Sequence, residues 1–292
     1  MKNFRYFSPN NLNEVLALLT QFDKNIFVMA GGTDLLVRMK DREISPSYII
    51  DLKQIAELND IKYDESSGLK IGALTTISDI EKSPHLTGQY HALVEAASSM
   101  GSAQIRNKGT IGGNLCNASP AADLAPPLIV MDASVQIIGK YGEKIIRMEE
   151  FFRGPGKTIL QDGEILTEIQ VPKLPSGSGT AYLKFSRRRG LDLALASVAC
   201  LLRTNDFRCE KVRIAMGAVA PIPLRAERAE ALIMGKEIND DIIEKVSEIA
   251  AEETRPIGDI RASASYRKEI IKVLVKRSIR ISLDRIRLRI SK

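Results

Sequence analysis

The stretch GTIGGNLCNASPAADLAPPL, Gly109–Leu128, decides how this chain is read. It gathers three glycines, three prolines, two asparagines and one acid around small apolar residues, so it buries little and bends often. Such a segment suits a wall that approaches something closely better than it suits a core element. Working outward, FVMAGGTDLL (residues 27–36) has the same character, with Gly31 and Gly32 beside Thr33 and Asp34, as Gly112 and Gly113 stand beside Asn114.

Glycine reaches positive φ without a Cβ penalty, so adjacent glycines allow successive N–H groups to turn inward and form an anion-binding concavity. Two such loops together can hold a pyrophosphate. The usual nucleotide motifs do not account for them. GSGTAY carries Tyr182 where a dinucleotide fingerprint needs its last glycine, and FFRGPGKT carries Phe151 where a P-loop needs its first, so RGPGKT reads as a turn.

The rest of the composition narrows the chemistry. At 292 residues and 44% hydrophobic, the chain can build about two domains of roughly 150 residues each. No apolar run reaches the roughly 20 residues of a membrane span, and MKNFRYFSPN lacks the apolar core of a secretory signal, so the cytoplasm is the expected location. Cys116, Cys200 and Cys209 are too few and too scattered for a disulfide framework or a metal site. With His85 and His91 as its two histidines, the chain has little material for histidine-based catalysis. The net charge is +6, concentrated in KRSIRISLDRIRLRISK, which has no aromatic stacking residues or groove-reading motif. That tail reads as a partner-facing or solvated helix, and nucleic acid is not expected as a partner.

Periodicity gives the organisation. Residues 1–56 read as strand, helix, strand, loop, strand, with Leu12, Val15, Leu16 and Leu19 at helical spacing and NIFVMA and SYIIDLK as strands. Residues 57–175 mix LKIGAL, a helix opened by Thr76 or Ser78 and ended by Pro84, one helix over HALVEAASSMGSAQIRN, a hairpin about Lys140–Glu143, and the strand GEILTEIQVP. The Ser/Gly-rich LPSGSGTAY reads as a hinge or surface linker into residues 176–292, a unit of strands followed by helices.

Three segments now stand out together: AGGTDLLVRMK, QIRNKGTIGGNLCNASPAADLAPPLIVMDA and AYLKFSRRRGLDLALASVA. In order and separation they resemble the FAD-binding medium subunit of the xanthine dehydrogenase and carbon monoxide dehydrogenase family of molybdenum hydroxylases, over nearly the whole chain. The resemblance implies an α+β molecule: an FAD-binding fold of the vanillyl-alcohol oxidase and p-cresol methylhydroxylase type, made of two α/β subdomains, plus a C-terminal domain of antiparallel strands and helices. It implies that Ala30, Gly31, Gly32, Thr33, Asp34 and Leu35 form the first FAD loop, and Thr110, Ile111, Gly112, Gly113 and Asn114 the second. Asp123 matches an acidic residue that contacts the cofactor, and Leu166 and Lys184 stand where later contacts, including those near the flavin end, are made.

The resemblance further implies an electron relay without a catalytic side chain or a metal of its own. A large molybdopterin-binding subunit and a small 2Fe–2S subunit would be its partners, in a dimer of heterotrimers, and NAD⁺ or another carrier would take the electrons from FAD. The cysteine-rich insertion that resembling 4-hydroxybenzoyl-CoA reductases carry is missing. Two other readings fit the residues: a free-standing flavin-dependent reductase of the same fold, and a non-catalytic scaffold whose glycine loops are structural. Taken singly, Asp34 and Asp123 also read as helix caps and Lys184 as a solvated strand residue.

Overall fold

Short apolar runs in the first fifty residues build a parallel sheet, β1 (Arg5–Phe7), β2 (Ile26–Met29) and β3 (Tyr48–Asp51), in the order β1-β3-β2. The computed structural model describes residues 2–22, 24–188, 190–205 and 208–290. Between β1 and β2 runs α1 (Leu12–Gln21), opened by the Asn11 side chain, which accepts from Glu14 N at 2.9 Å, and anchored by buried Val15 and Leu19. The segment between β2 and β3 is more than a loop: α2 (Leu35–Lys40) forms there, with Leu36 N bonded to Gly32 O and Met39 buried. This is the helix that the reading of Asp34 as a cap implied, and Leu35 and Met39, four residues apart, share its packed side.

The middle unit is laid down as β4 (Ile61–Asp64), β5 (Gly68–Gly72), α3 (Ile77–Lys82), α4 (His91–Ser98), α5 (Ala103–Arg106), α6 (Ile111–Cys116), α7 (Ala125–Val130), β6 (Ser134–Gly139), β7 (Gly142–Arg147), α8 (Met148–Phe151), β8 (Phe152–Gly154), β9 (Lys157–Thr158) and β10 (Ile165–Val171). Its main sheet is antiparallel, in the order β4-β5-β10-β6-β7. Thr76, rather than Ser78, caps α3, in a reciprocal capping box with Asp79. The expected single helix over residues 91–107 is broken into α4 and α5, because Gly101 takes φ +52° and Ser102 starts afresh as an N-cap for Ile105 N. RGPGKT is the turn of the β8–β9 hairpin.

The last unit comprises β11 (Ser178–Phe185), β12 (Ala196–Asn205), β13 (Arg208–Gly217) and β14 (Leu224–Arg225), then α9 (Glu227–Ile233), α10 (Asp240–Glu253) and α11 (Ala264–Ile290). Its sheet is antiparallel in sequential order and buried on both faces. Ala199 and Leu201 of β12 join the core of the middle unit, while Val198, Cys200 and Leu202 pack with α9, α10 and α11. This is why the strand reads as an unbroken apolar run, not as an alternating one.

One expectation fails here. GSGTAY is not a linker, since Ser178, Gly179 and Thr180 are buried in β11. A Cβ on Gly179 would lie 2.0 Å from Ser282 O, so the glycine admits the close passage of α11. The basic tail is a helix, as expected, with Arg280 and Arg287 exposed on one face; its other face packs, with Ile279, Leu283 and Ile286 buried, and Arg285 is ion-paired with Glu95 of α4 and donates to Thr180 O. No helix among the described residues is long and apolar enough to cross a membrane.

Candidate functional site

Between the three units lies a cleft of about 740 Å³, within the size range of small-molecule sites. The first glycine loop, the α6 segment, the bulged start of β10, the end of β11 and residues Leu191, Asp192 and Leu193 all line it. Thirteen of the fourteen residues expected from sequence do so: Ala30, Gly31, Gly32, Thr33, Asp34, Leu35, Thr110, Gly112, Gly113, Asn114, Asp123, Leu166 and Lys184. Ile111 is the exception. Its side chain is fully buried in the middle core and its N–H donates to Thr75 O at 3.0 Å.

The two loops meet, but by different means from those expected. Gly32 alone of the four glycines takes a positive φ, +76°. Gly31 lies against the main chain of Lys108 and Gly109, and Gly112 against Ala73, so these two glycines serve close backbone approach. The GTIGGN run is no loop: Thr110 caps α6, its Oγ1 accepting from Gly113 N at 3.0 Å. The N–H groups of Ile111, Gly112, Gly113 and Asn114 are all used, by Thr75 O, Ala73 O, Thr110 Oγ1 and Thr110 O. The concavity expected from the second motif is therefore absent. Residues 109–112 stitch onto residues 73–77, which fixes one wall rigidly.

The first loop is the opposite case. Among the described residues, no acceptor takes the main-chain N–H groups of Gly31, Gly32, Thr33 or Asp34. Asp34 does not cap α2; its Oδ1 accepts from Asn117 Nδ2 at 3.1 Å, tying the first motif to the second. Across the cleft, Asn114 Oδ1 is buried without a partner, while its Nδ2 faces Met100 Sδ at 3.4 Å. Buried polar atoms are nearly always satisfied in folded proteins, so Asn114 Oδ1 is the group that calls for a polar partner, while the amides of the half-exposed Gly31–Thr33 and exposed Asp34 are open to solvent or a ligand.

The far wall carries charge. Asp123 Oδ2 accepts from Lys184 Nζ at 3.0 Å and Oδ1 from the Tyr182 hydroxyl at 2.7 Å, with all three side chains buried. Burial pushes the Asp123 carboxyl above its ordinary range, against the pull of Lys184 and Tyr182. Neither bland reading holds, since Asp123 caps no helix and Lys184 is not solvated. Ile165 and Leu166 at the start of β10 both line the cleft, and the pairing of β10 with β6 is bulged between Leu166 and Glu168. Sequence reasoning missed Met100, Gly101, Asn117, Glu164 and Leu191. Asn117 stood within the decisive stretch, Met100 and Gly101 within the misread helix, Glu164 within the expected strand GEILTEIQVP and Leu191 within the third quoted segment, but none was singled out.

The arrangement suits a long, partly anionic ligand: unpaired amides at one end, a buried cation at the other and apolar walls between. Residues 2–174 match the family described as the FAD binding domain in molybdopterin dehydrogenase, and residues 181–281 the CO dehydrogenase flavoprotein C-terminal domain. The chain belongs to this family of FAD-binding oxidoreductase subunits, whose cofactor is FAD. Among its relatives is the glyceraldehyde dehydrogenase medium chain of Sulfolobus acidocaldarius, 35% identical over 95% of this chain and 97% of that one. A putative xanthine dehydrogenase FAD-binding subunit of Escherichia coli is 32% identical over 86% of this chain and 87% of that one. A structure of carbon monoxide dehydrogenase from Hydrogenophaga pseudoflava superimposes with a TM-score of 0.94 at 34% identity, covering 97% of this chain and 98% of that one.

Proposed function

We propose that the cleft binds FAD, with the cofactor's pyrophosphate on the amides of Gly31–Asp34, and that the chain relays electrons within a molybdenum hydroxylase complex. The observation that carries this is that, among the described residues, the N–H groups of four consecutive cleft-lining residues, Gly31–Asp34, have no acceptor, and Asn114 Oδ1 in the same cleft is buried without a partner. Bound FAD would supply the one- and two-electron redox chemistry of such a relay. The chain's own residues bind and orient: Gly31–Asp34 donate to phosphate oxygens, Asn114 and Asp123 offer acceptors to hydroxyls, Leu166 packs on the ring system and Lys184 sets the local charge.

A large molybdopterin-binding subunit and a small 2Fe–2S subunit are the partners in this reading, within a dimer of heterotrimers in the cytoplasm. The medium-chain names of the relatives support the multi-subunit part. FAD held by this chain would supply the redox chemistry for passing electrons from the partner's clusters to NAD⁺ or another carrier. Titrating the purified full chain with FAD tests the site, with stoichiometric quenching of flavin fluorescence expected. Co-purification with two subunits carrying molybdenum and iron tests the complex; a chain that runs alone and turns over its own substrate refutes it.

A further inference from the structure

The cleft wall contains a buried ion pair that stability does not explain. Removing a carboxylate and an ammonium from water costs several kcal/mol, and an apolar pair of similar volume often serves a fold as well. Lys184 Nζ has two partners among the described residues, Asp123 Oδ2 at 3.0 Å and Ser99 O at 3.2 Å. An ammonium has three donors, so one remains for the cleft that Lys184 lines.

Tyr182 is 3% exposed and is not part of the cleft lining, yet its hydroxyl takes the other oxygen of Asp123 at 2.7 Å. Tyr182 and Lys184 are two residues apart on β11 and so share a face of the strand. The strand is braced at that point: Tyr182 N donates to Glu95 Oε2 at 2.8 Å, and Arg285 of α11 holds the same carboxylate at 3.1 Å. Three elements thus fix one phenol against one carboxylate.

We propose that Tyr182 is a positioning residue for the cofactor: by holding Asp123 Oδ1 it sets the carboxylate so that Oδ2 pins the Lys184 ammonium at the cleft wall with one N–H left for FAD. The proposal rests on the cleft being the FAD site. A cation fixed in a low-dielectric wall stabilises the negative charge that the flavin gains on reduction, so the arrangement raises the flavin's midpoint potential.

The test is Tyr182→Phe in the full chain, read by FAD titration and by the midpoint potential of the bound flavin. We expect FAD affinity to fall about tenfold, as for loss of a hydrogen bond to a charged group, and the potential to move to more negative values. In a Lys184→Met background the same substitution is expected to change neither quantity further. A lowered melting temperature with unchanged affinity and potential makes Tyr182 merely structural and overturns the proposal, as does an equal effect in both backgrounds. Should Tyr182→Phe not fold, Asp123→Asn keeps an oxygen acceptor for the phenol and removes the charge facing Lys184; an unaltered potential there overturns the proposal too. Failure of the wild-type chain to take up FAD instead removes the cleft assignment itself, and the proposal with it.

Discussion

A Cβ built on Gly31 falls 1.9 Å from the carbonyl oxygen of Lys108. The two motifs that line the cleft are therefore in main-chain contact, and neither can retreat: residues 109–112 are bonded to the 73–77 segment behind them. Gly31→Ala forces the loops apart. We expect a loss of about 3 kcal/mol, the upper end of overpacking costs, because the obstacle is backbone, not a flexible side chain. Urea unfolding of the apo chain measures it, and an unshifted midpoint contradicts the contact.

Gly112 and Gly113 are neighbours with different duties. A Cβ on Gly112 meets Ala73 O at 2.7 Å, whereas on Gly113 it meets Thr110 Oγ1 at 3.0 Å and Ala30 Cβ at 3.9 Å. Gly112→Ala is expected to destabilise the chain by about 1–3 kcal/mol. Gly113→Ala keeps stability within about 1 kcal/mol, since alanine is the better helix former, but loses FAD affinity because the methyl narrows the cleft. Parallel unfolding and flavin titrations separate the two, and equal behaviour of the variants would falsify the distinction.

Burial pushes the thiols of Cys116, Cys200 and Cys209 up to about 12. At pH 8 almost no thiolate is present to react. A thiol reagent is expected to modify none of the three on the timescale that titrates free cysteine, and all three once the chain is unfolded. Rapid labelling of native protein at one site contradicts this, and Cys116, which lines the cleft, is the position to check.

Asp259 accepts from Arg261 and pairs with buried Arg267, and Arg261 above all holds its carboxyl well below the usual carboxylate range. A carboxyl depressed in the folded state stabilises fully above its unfolded value near about 3.9, and that contribution is lost as pH falls below it. Asp259→Asn is expected to be less stable than wild type at pH 7, with the gap closing as the pH drops through 4 towards 2 (roughly the window between the two states). A gap that is constant across this range refutes the linkage.

Much of the fold was legible because local signals and tertiary structure agreed. The spacing of Val15 and Leu19 gave α1, Thr76 or Ser78 marked the opening of α3, and Pro172 closed β10. Misreadings arose where a short segment's partner was distant. HALVEAASSMGSAQIRN hides a break at Gly101, and Gly179 looks like a linker residue until α11 is seen crossing it.

By itself the sequence marked two segments with glycine pairs and polar neighbours, and the family resemblance added Asp123, Leu166 and Lys184; thirteen of the fourteen expected positions line one cleft. Residue type sets where a chain can bend or approach, and that is a local property. Only the tertiary structure decided what each group does there. It spent the amides of Ile111–Asn114 on Thr75, Ala73 and Thr110, left those of Gly31–Asp34 open, and buried Tyr182 behind Asp123 and Lys184. Hydrogen-bond satisfaction depends on atoms that lie far apart in the chain, so no reading of spacing could assign it.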